Sequence, residues 1–257
     1  MDKFRIIPVI DILNSKAVHA IRGEREKYKP LQSRLINSSE PKEIIKSLKQ
    51  KFNFREFYIA DLDSIINHKP NFELLSNILK IPDIEIMIDP GIRDKNDILN
   101  YSNFKIGKLI LGLETIKNLD VINKGLEIMS KNKLIVSVDM YKGNLLSRIK
   151  EVKNQPLTDL INILQELSLQ EIILLDLFRV GQKSGGIPPL FLKIRKNFKG
   201  RILVGGGIKN SKDLMEYYSH KFSGVLIATA LYDGSISKEK LKTFQKREDS
   251  NQYKSSL

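Results

Sequence analysis

Ile7-Pro8-Val9-Ile10-Asp11 and Ile135-Val136-Ser137-Val138-Asp139 are two short apolar runs, each ending on an aspartate. Three further pairs follow in the same order. Glu56-Phe57-Tyr58-Ile59-Ala60-Asp61 matches Glu171-Ile172-Ile173-Leu174-Leu175-Asp176, and Ile88-Asp89-Pro90-Gly91-Ile92-Arg93 matches Val204-Gly205-Gly206-Gly207-Ile208-Lys209. Leu109-Ile110-Leu111-Gly112 matches Leu226-Ile227-Ala228. Partners stand 128 residues apart in the first pair and 115 or 116 apart in the others, so register is kept within each half. Four strand–helix units, twice over, predict an α/β fold: a (β/α)8 barrel built from two duplicated half-barrels. The strands are expected near residues 5–12, 55–62, 84–88, 107–112, 133–140, 171–177, 201–204 and 223–228. They are continuous apolar runs, as required where both faces of a strand are covered. Helix starts are legible at Ser39-Glu40-Pro41 and Asn210-Ser211. All strand C-termini of such a barrel open on one mouth, so Asp11 and Asp139 are expected to face each other across it.

The 257 residues suit one such barrel: residues 1–247 are expected as a single domain, and the polar, Ser-rich residues 248–257 as a tail without fixed structure. Hydrophobic residues make up 41%, enough for a substantial core, and no apolar run approaches the roughly 18 residues of a membrane span. Met1-Asp2-Lys3-Phe4 leads straight into the first strand and leaves no room for a signal peptide, and there is no cysteine for disulfides or thiolate metal sites. His19, His68 and His220 have no ligand spacing. A cytoplasmic protein without a metal, organic cofactor or membrane contact is expected, as a monomer or small homo-oligomer. The net charge of +13 comes from Lys and Arg spread over nearly every helix. Such a spread describes a solvated basic surface, or a field that gathers phosphorylated small molecules, rather than a nucleic-acid footprint.

Gly205-Gly206-Gly207 directly follows the seventh strand. Glycines let a backbone approach an anion closely and aim N–H groups at it. Ala228-Thr229-Ala230 follows the eighth strand, where barrels build a short extra helix for the same phosphate. These six residues are the expected phosphate site. The matching loop of the first half reads Asp89-Pro90-Gly91: proline has no N–H to donate, and a carboxylate repels a dianion. Asp89 is therefore expected either to spoil that second site or to hold a hydroxyl or amine, while Arg93 remains a possible grip on an anion. Two mouth connections are longer than a barrel needs, residues 14–37 and 178–187, and are expected as lids or clamps. The second carries Gly181 and Gly185 as substrate-binding candidates; the first carries Arg22, Arg25 and Lys29. Asp61, Asp63 and Asp176 rank behind Asp11 and Asp139.

Ile7-Pro8-Val9-Ile10-Asp11-Ile12, Val204-Gly205-Gly206-Gly207-Ile208 and Gly224-Val225-Leu226-Ile227-Ala228-Thr229-Ala230-Leu231-Tyr232 resemble the histidine-biosynthesis barrel family, the HisA/HisF family, over roughly residues 5–235. The opening strand looks most like the isomerase branch. That resemblance implies an Amadori rearrangement, aminoaldose to aminoketose, on a phosphorylated small molecule, with a general base at Asp11 and a general acid at Asp139. Three features depart from the family pattern: Asp89-Pro90-Gly91 replaces a glycine loop, Val180-Gly181-Gln182 stands where the family usually carries Asp-Gly-Thr, and residues 18–25 differ. The last is similar to a HisA-related branch of methane- and one-carbon-metabolising microbes, associated with tetrahydromethanopterin-type cofactor metabolism. A diverged lyase, cyclase or cofactor-pathway enzyme using the same aspartates on a mono-phosphorylated substrate stays open beside the isomerase.

Overall fold

The computed structural model describes residues 3–153 and 155–244; the tail expected at 248–257 lies outside them. Eight parallel strands form the barrel: β1 (Arg5–Leu13), β2 (Glu56–Asp61), β3 (Glu85–Asp89), β4 (Lys108–Gly112), β5 (Leu134–Tyr141), β6 (Glu171–Asp176), β7 (Arg201–Gly205) and β8 (Gly224–Ile227). Neighbours in sequence pair in space, and β8 closes the ring on β1 with Arg5 beside Gly224 and Pro8 beside Ile227. Helices separate the strands, among them Pro41–Phe52, Lys95–Ser102, Pro189–Asn197 and Ser211–Ser219. The starts read from the sequence hold. Pro41 occupies the first turn after Glu40, and Asn210 caps its helix in a reciprocal box with Asp213.

One inward residue from each strand fills the barrel interior: Ile7, Tyr58, Met87, Ile110, Ile135, Ile173, Leu203 and Leu226, all buried and in mutual contact. The alternate residues, such as Ile10, Ile59, Ile88 and Leu174, point outward into a second, larger core beneath the helices. This is the physical reason for the unbroken apolar runs.

The connection after β1 is not an open loop. Lys16–His19 turns back antiparallel onto β1, pairing Val18 with Asp11, and Lys29–Pro30 adds a further short strand. Asp63 accepts hydrogen bonds from the Asn14 and Ser15 N–H groups at the turn, so the expected long loop is replaced by a sheet extension that stands over the mouth.

The opposite end is closed by charge. Glu171 is 1% exposed and faces Arg5, Lys108 and Arg201, while Arg5 also holds Glu56. Removing one partner from a buried ionic cluster leaves the others uncompensated, at a cost of about 3–5 kcal/mol. Glu171→Gln is therefore expected to lower unfolding stability by that order in urea titrations; a change below about 1 kcal/mol would show that the cluster is dispensable.

Candidate active site

Strand register decides what the mouth presents. Asp11 lies beside Ala60, and Ala60 beside Asp89. Four strands on, Asp139 lies beside Leu175, and Leu175 beside Gly205. In the ring order β1 and β5 stand opposite each other, so their aspartates enter one cavity from opposing sides. This cavity is lined by Asp11, Asp89, Asp139, Gly181, Gly205, Gly206, Gly207, Ala228 and Thr229, nine of the residues singled out in the sequence. Arg25, Tyr28, Tyr58, Glu114 and Lys183 complete its polar wall.

The glycine end brings the backbone close to its neighbours. Gly206 and Gly207 have φ of +94° and +86°, where side chains are strained. A Cβ on Gly206 would lie 2.3 Å from the Asp176 carbonyl oxygen, and one on Gly207 would lie 2.6 Å from Ser184 Oγ. The short helix Thr229–Tyr232 begins at the same edge. His19 Nε2 lies 3.0 Å from Thr229 Oγ1, and Lys183 Nζ donates to Asp233 Oδ2 at 2.6 Å and to Ser235 Oγ at 2.7 Å.

The other end has different chemistry. Asp89 accepts a hydrogen bond from the Gly91 N–H (3.1 Å) and another from the Tyr58 hydroxyl (3.1 Å). The one glycine N–H of that loop is thus turned to a carboxylate. Arg93 does not line the cavity. Its guanidinium donates to the carbonyl oxygens of Gly91 and Ile65, tying the loop to the preceding helix.

Burial and like charge raise all three aspartates. Asp11 is pushed up to about 7, by desolvation first, with Arg25 opposing and Asp89 adding. Asp89 rises to about 6 through desolvation and the nearby Glu114, against the Gly91 and Tyr58 hydrogen bonds. Asp139, 3% exposed, goes well above the usual carboxylate range through desolvation, Glu114 and Asp89; Ser137 Oγ donates to its Oδ1 at 2.5 Å. Burial thus raises both members of the pair, and Glu114 and Asp89 add to the rise at Asp139.

Other candidates lie elsewhere. Asp61 caps the helix Leu62–Asn67 through Ser64 N. Asp176 ends β6 with a buried Oδ1 that has no hydrogen-bond partner. Gly185 donates to the Gly207 carbonyl, and Ala230 is buried within the short helix Thr229–Tyr232. Arg22 is exposed, bonded to Gln182 Oε1 at 2.8 Å and placed over the Phe178 ring. Glu114, Tyr58, Tyr28 and Lys183 were missed. Glu114 matches Ala230 in the sequence spacing of the two halves, and that unlike pair was the available signal; Tyr58 is simply the inward residue of β2.

Fold and cavity together define a barrel whose mouth combines opposed carboxylates with a glycine cradle. The chain belongs to the histidine biosynthesis protein family, whose profile matches residues 5–237. It is 31% identical over 239 residues to a Methanocaldococcus jannaschii protein described as uncharacterized, covering 92% of this chain and 97% of that one. It is 28% identical over 238 residues to the 1-(5-phosphoribosyl)-5-(5-phosphoribosylamino)methylideneamino imidazole-4-carboxamide isomerase of Caldicellulosiruptor bescii, covering 92% and 98%. The isomerase of the same name from Lactococcus lactis is 26% identical over 239 residues, covering 92% and 97%.

The raised aspartates carry a stability cost with a definite sign. Folded Asp11 keeps its proton to about pH 7, whereas the unfolded chain releases it near 3.8, so its contribution is full below the lower value and lost as pH rises between the two. Asp11→Asn should therefore be more stable than the native protein at pH 8, by roughly 2–4 kcal/mol, with the gain shrinking by pH 5. Denaturation at both pH values checks this; an equal gain at both would contradict a raised Asp11.

Proposed function

We propose that this protein is an intramolecular aldose–ketose isomerase that performs an Amadori rearrangement on a phosphoribosyl-amine or related phosphosugar. The observation that carries the reading is the pair Asp11 and Asp139, set on opposed strands of one cavity and both raised by burial. The substrate phosphate sits at Gly206-Gly207 and the start of the Thr229–Tyr232 helix, where N–H groups and the helix end favour a dianion. Asp139, protonated, gives its proton to the ring oxygen as the C1–O bond breaks and the nitrogen lone pair forms C=N. Asp11, ionised, takes the proton from C2 to give an enaminol. Return of a proton to C1 and loss of the enol proton leave the ketone, with no net change in atoms or electrons. Neither step needs a metal or an organic cofactor. A cytoplasmic single-domain protein, monomeric or a small homo-oligomer, completes the proposal.

Asp11→Asn and Asp139→Asn should each lower kcat on a phosphoribosyl-amine aldose about 100-fold or more, while both variants remain folded. The native kcat/KM should rise through about pH 7 as Asp11 ionises, then fall at higher pH as Asp139 loses its proton. Near-native turnover in either variant removes that residue from the mechanism.

A second reading is favoured by one contact: the Gly91 N–H is engaged by Asp89. On this reading the enzyme takes a substrate with a single phosphate, and the bis-phosphorylated histidine intermediate is a poor one. Sulfate soaked into crystals should occupy one site, at Gly206-Gly207. The double variant Asp89→Gly, Pro90→Gly should raise kcat/KM for the bis-phosphorylated substrate about ten-fold or more, since each charge-assisted hydrogen bond contributes about 1.5–3 kcal/mol. A native kcat/KM of about 10⁴–10⁸ M⁻¹s⁻¹ on that substrate, the efficient range, would overturn the second reading and leave the isomerase of histidine synthesis. Restored growth of a histidine auxotroph lacking the isomerase would overturn it equally.

A further inference from the structure

The segment after β1 is fastened across the mouth. Arg22 N–H donates to the Val180 carbonyl at 2.9 Å, and a Cβ added at Gly23 would meet Leu177 Cβ at 3.4 Å, so the segment rests on the β6 connection. From there Arg25 reaches the far wall, where its Nη2 lies 2.8 Å from Glu114 Oε1, just beyond β4. Both side chains are partly exposed, 34% and 22%, and an ion pair of that kind adds little to stability. Its value lies in where it puts a charge. Arg25 and Lys183 are the two cations among the residues lining the cavity, and Lys183 is held by Asp233 and Ser235 at the glycine end.

The polar groups that line the cavity with Arg25 can be named element by element. Asp11 comes from β1, Tyr58 from β2, Asp89 from β3, Glu114 from beyond β4, and Asp139 from β5. Tyr28 lies on its own segment and senses both Arg25 and the exposed Glu26. Four carboxyl groups thus share the cavity with one guanidinium, and one of them, Glu114, binds it. Its effect is uneven. For Asp11 it is the leading influence against burial, whereas for Asp139 the raising effects of Glu114 and Asp89 come before it.

We propose that Arg25, fixed by Glu114 in the cavity it shares with Asp11, is a positioning residue whose charge favours the ionised form needed of the base. This rests on the acid–base reading above. The segment then does two jobs: it covers the cavity, and it brings a positive charge to the carboxyl groups that line it.

Carboxyl carbon NMR on protein with labelled aspartate tests this without substrate, with Asp11→Asn assigning the resonance. In Arg25→Gln the Asp11 titration midpoint should rise by about one pH unit, as expected for loss of a nearby opposite charge, and Arg25→Lys should recover most of the shift. In activity, Arg25→Gln should lose about ten-fold in kcat/KM at pH 6.5, with the loss shrinking towards pH 8. An unmoved Asp11 midpoint in Arg25→Gln overturns the proposal. A loss equal at every pH overturns it too, since that marks Arg25 as a substrate contact instead. The acid–base reading fails on a different observation, full activity of Asp11→Asn, so the two failures are distinguishable.

Discussion

Closure of β8 onto β1 is the constraint on which the remaining structure depends. It satisfies the backbone of both outer strands, which in an open sheet would each leave an edge, and it forces all eight strand ends onto one rim. Once the ring is closed, the register fixes the neighbours at that rim. Asp11, Ala60 and Asp89 follow one another on one side, and Asp139, Leu175 and Gly205 on the other. The apolar ring of Ile7, Tyr58, Met87 and their counterparts lies directly beneath. It supplies the low-dielectric floor that desolvates the carboxyl groups above it. Site electrostatics therefore follow from barrel packing rather than from any special local motif.

That floor explains why function and stability pull against each other here. An aspartate at an exposed strand end would ionise near its ordinary value and could serve as a base, but not as a reservoir for a proton near neutrality. Burial raises both Asp11 and Asp139, and the protein absorbs the resulting cost through its extensive outer core. The cluster of Arg5, Glu56, Lys108, Glu171 and Arg201 shows the contrasting solution at the other end of the barrel. There, buried charge is neutralised by close partners, as expected where structure alone is at stake.

Much of this was legible in the chain. Strand positions, barrel class and the cavity placement of Asp11, Asp139 and the glycine triplet all followed from local patterns, because apolar runs and strand-end residues are fixed by position along one strand. What the sequence hid were contacts made across strands. Arg93 reads as a free cation beside a phosphate loop, yet its guanidinium binds the Gly91 and Ile65 carbonyls. Asp61 matches Asp176 in sequence but caps a helix. Residues 14–37 read as a loop because Asn14 and Ser15, a two-residue turn, lack the glycine that usually announces a hairpin; both adopt positive φ, and Asp63, far along the chain, holds the turn.

The unlike halves of the mouth suggest how one barrel can be steered between substrates. Gly205 on one side corresponds by register to Asp89 on the other, and Ala230 beyond β8 corresponds in sequence to Glu114 beyond β4. At one end both positions are small, a glycine and an alanine. At the other end both are carboxylates, the N–H that could have met an anion is engaged by Asp89, and the compensating cation, Arg25, arrives on a segment from a third strand. Two substitutions to acidic residues would leave surplus negative charge at the barrel mouth unless a cation accompanied them. The Arg25–Glu114 contact and the Asp89–Gly91 contact are thus parts of one electrostatic solution, and altering either end alone would unbalance the carboxyl pair between them.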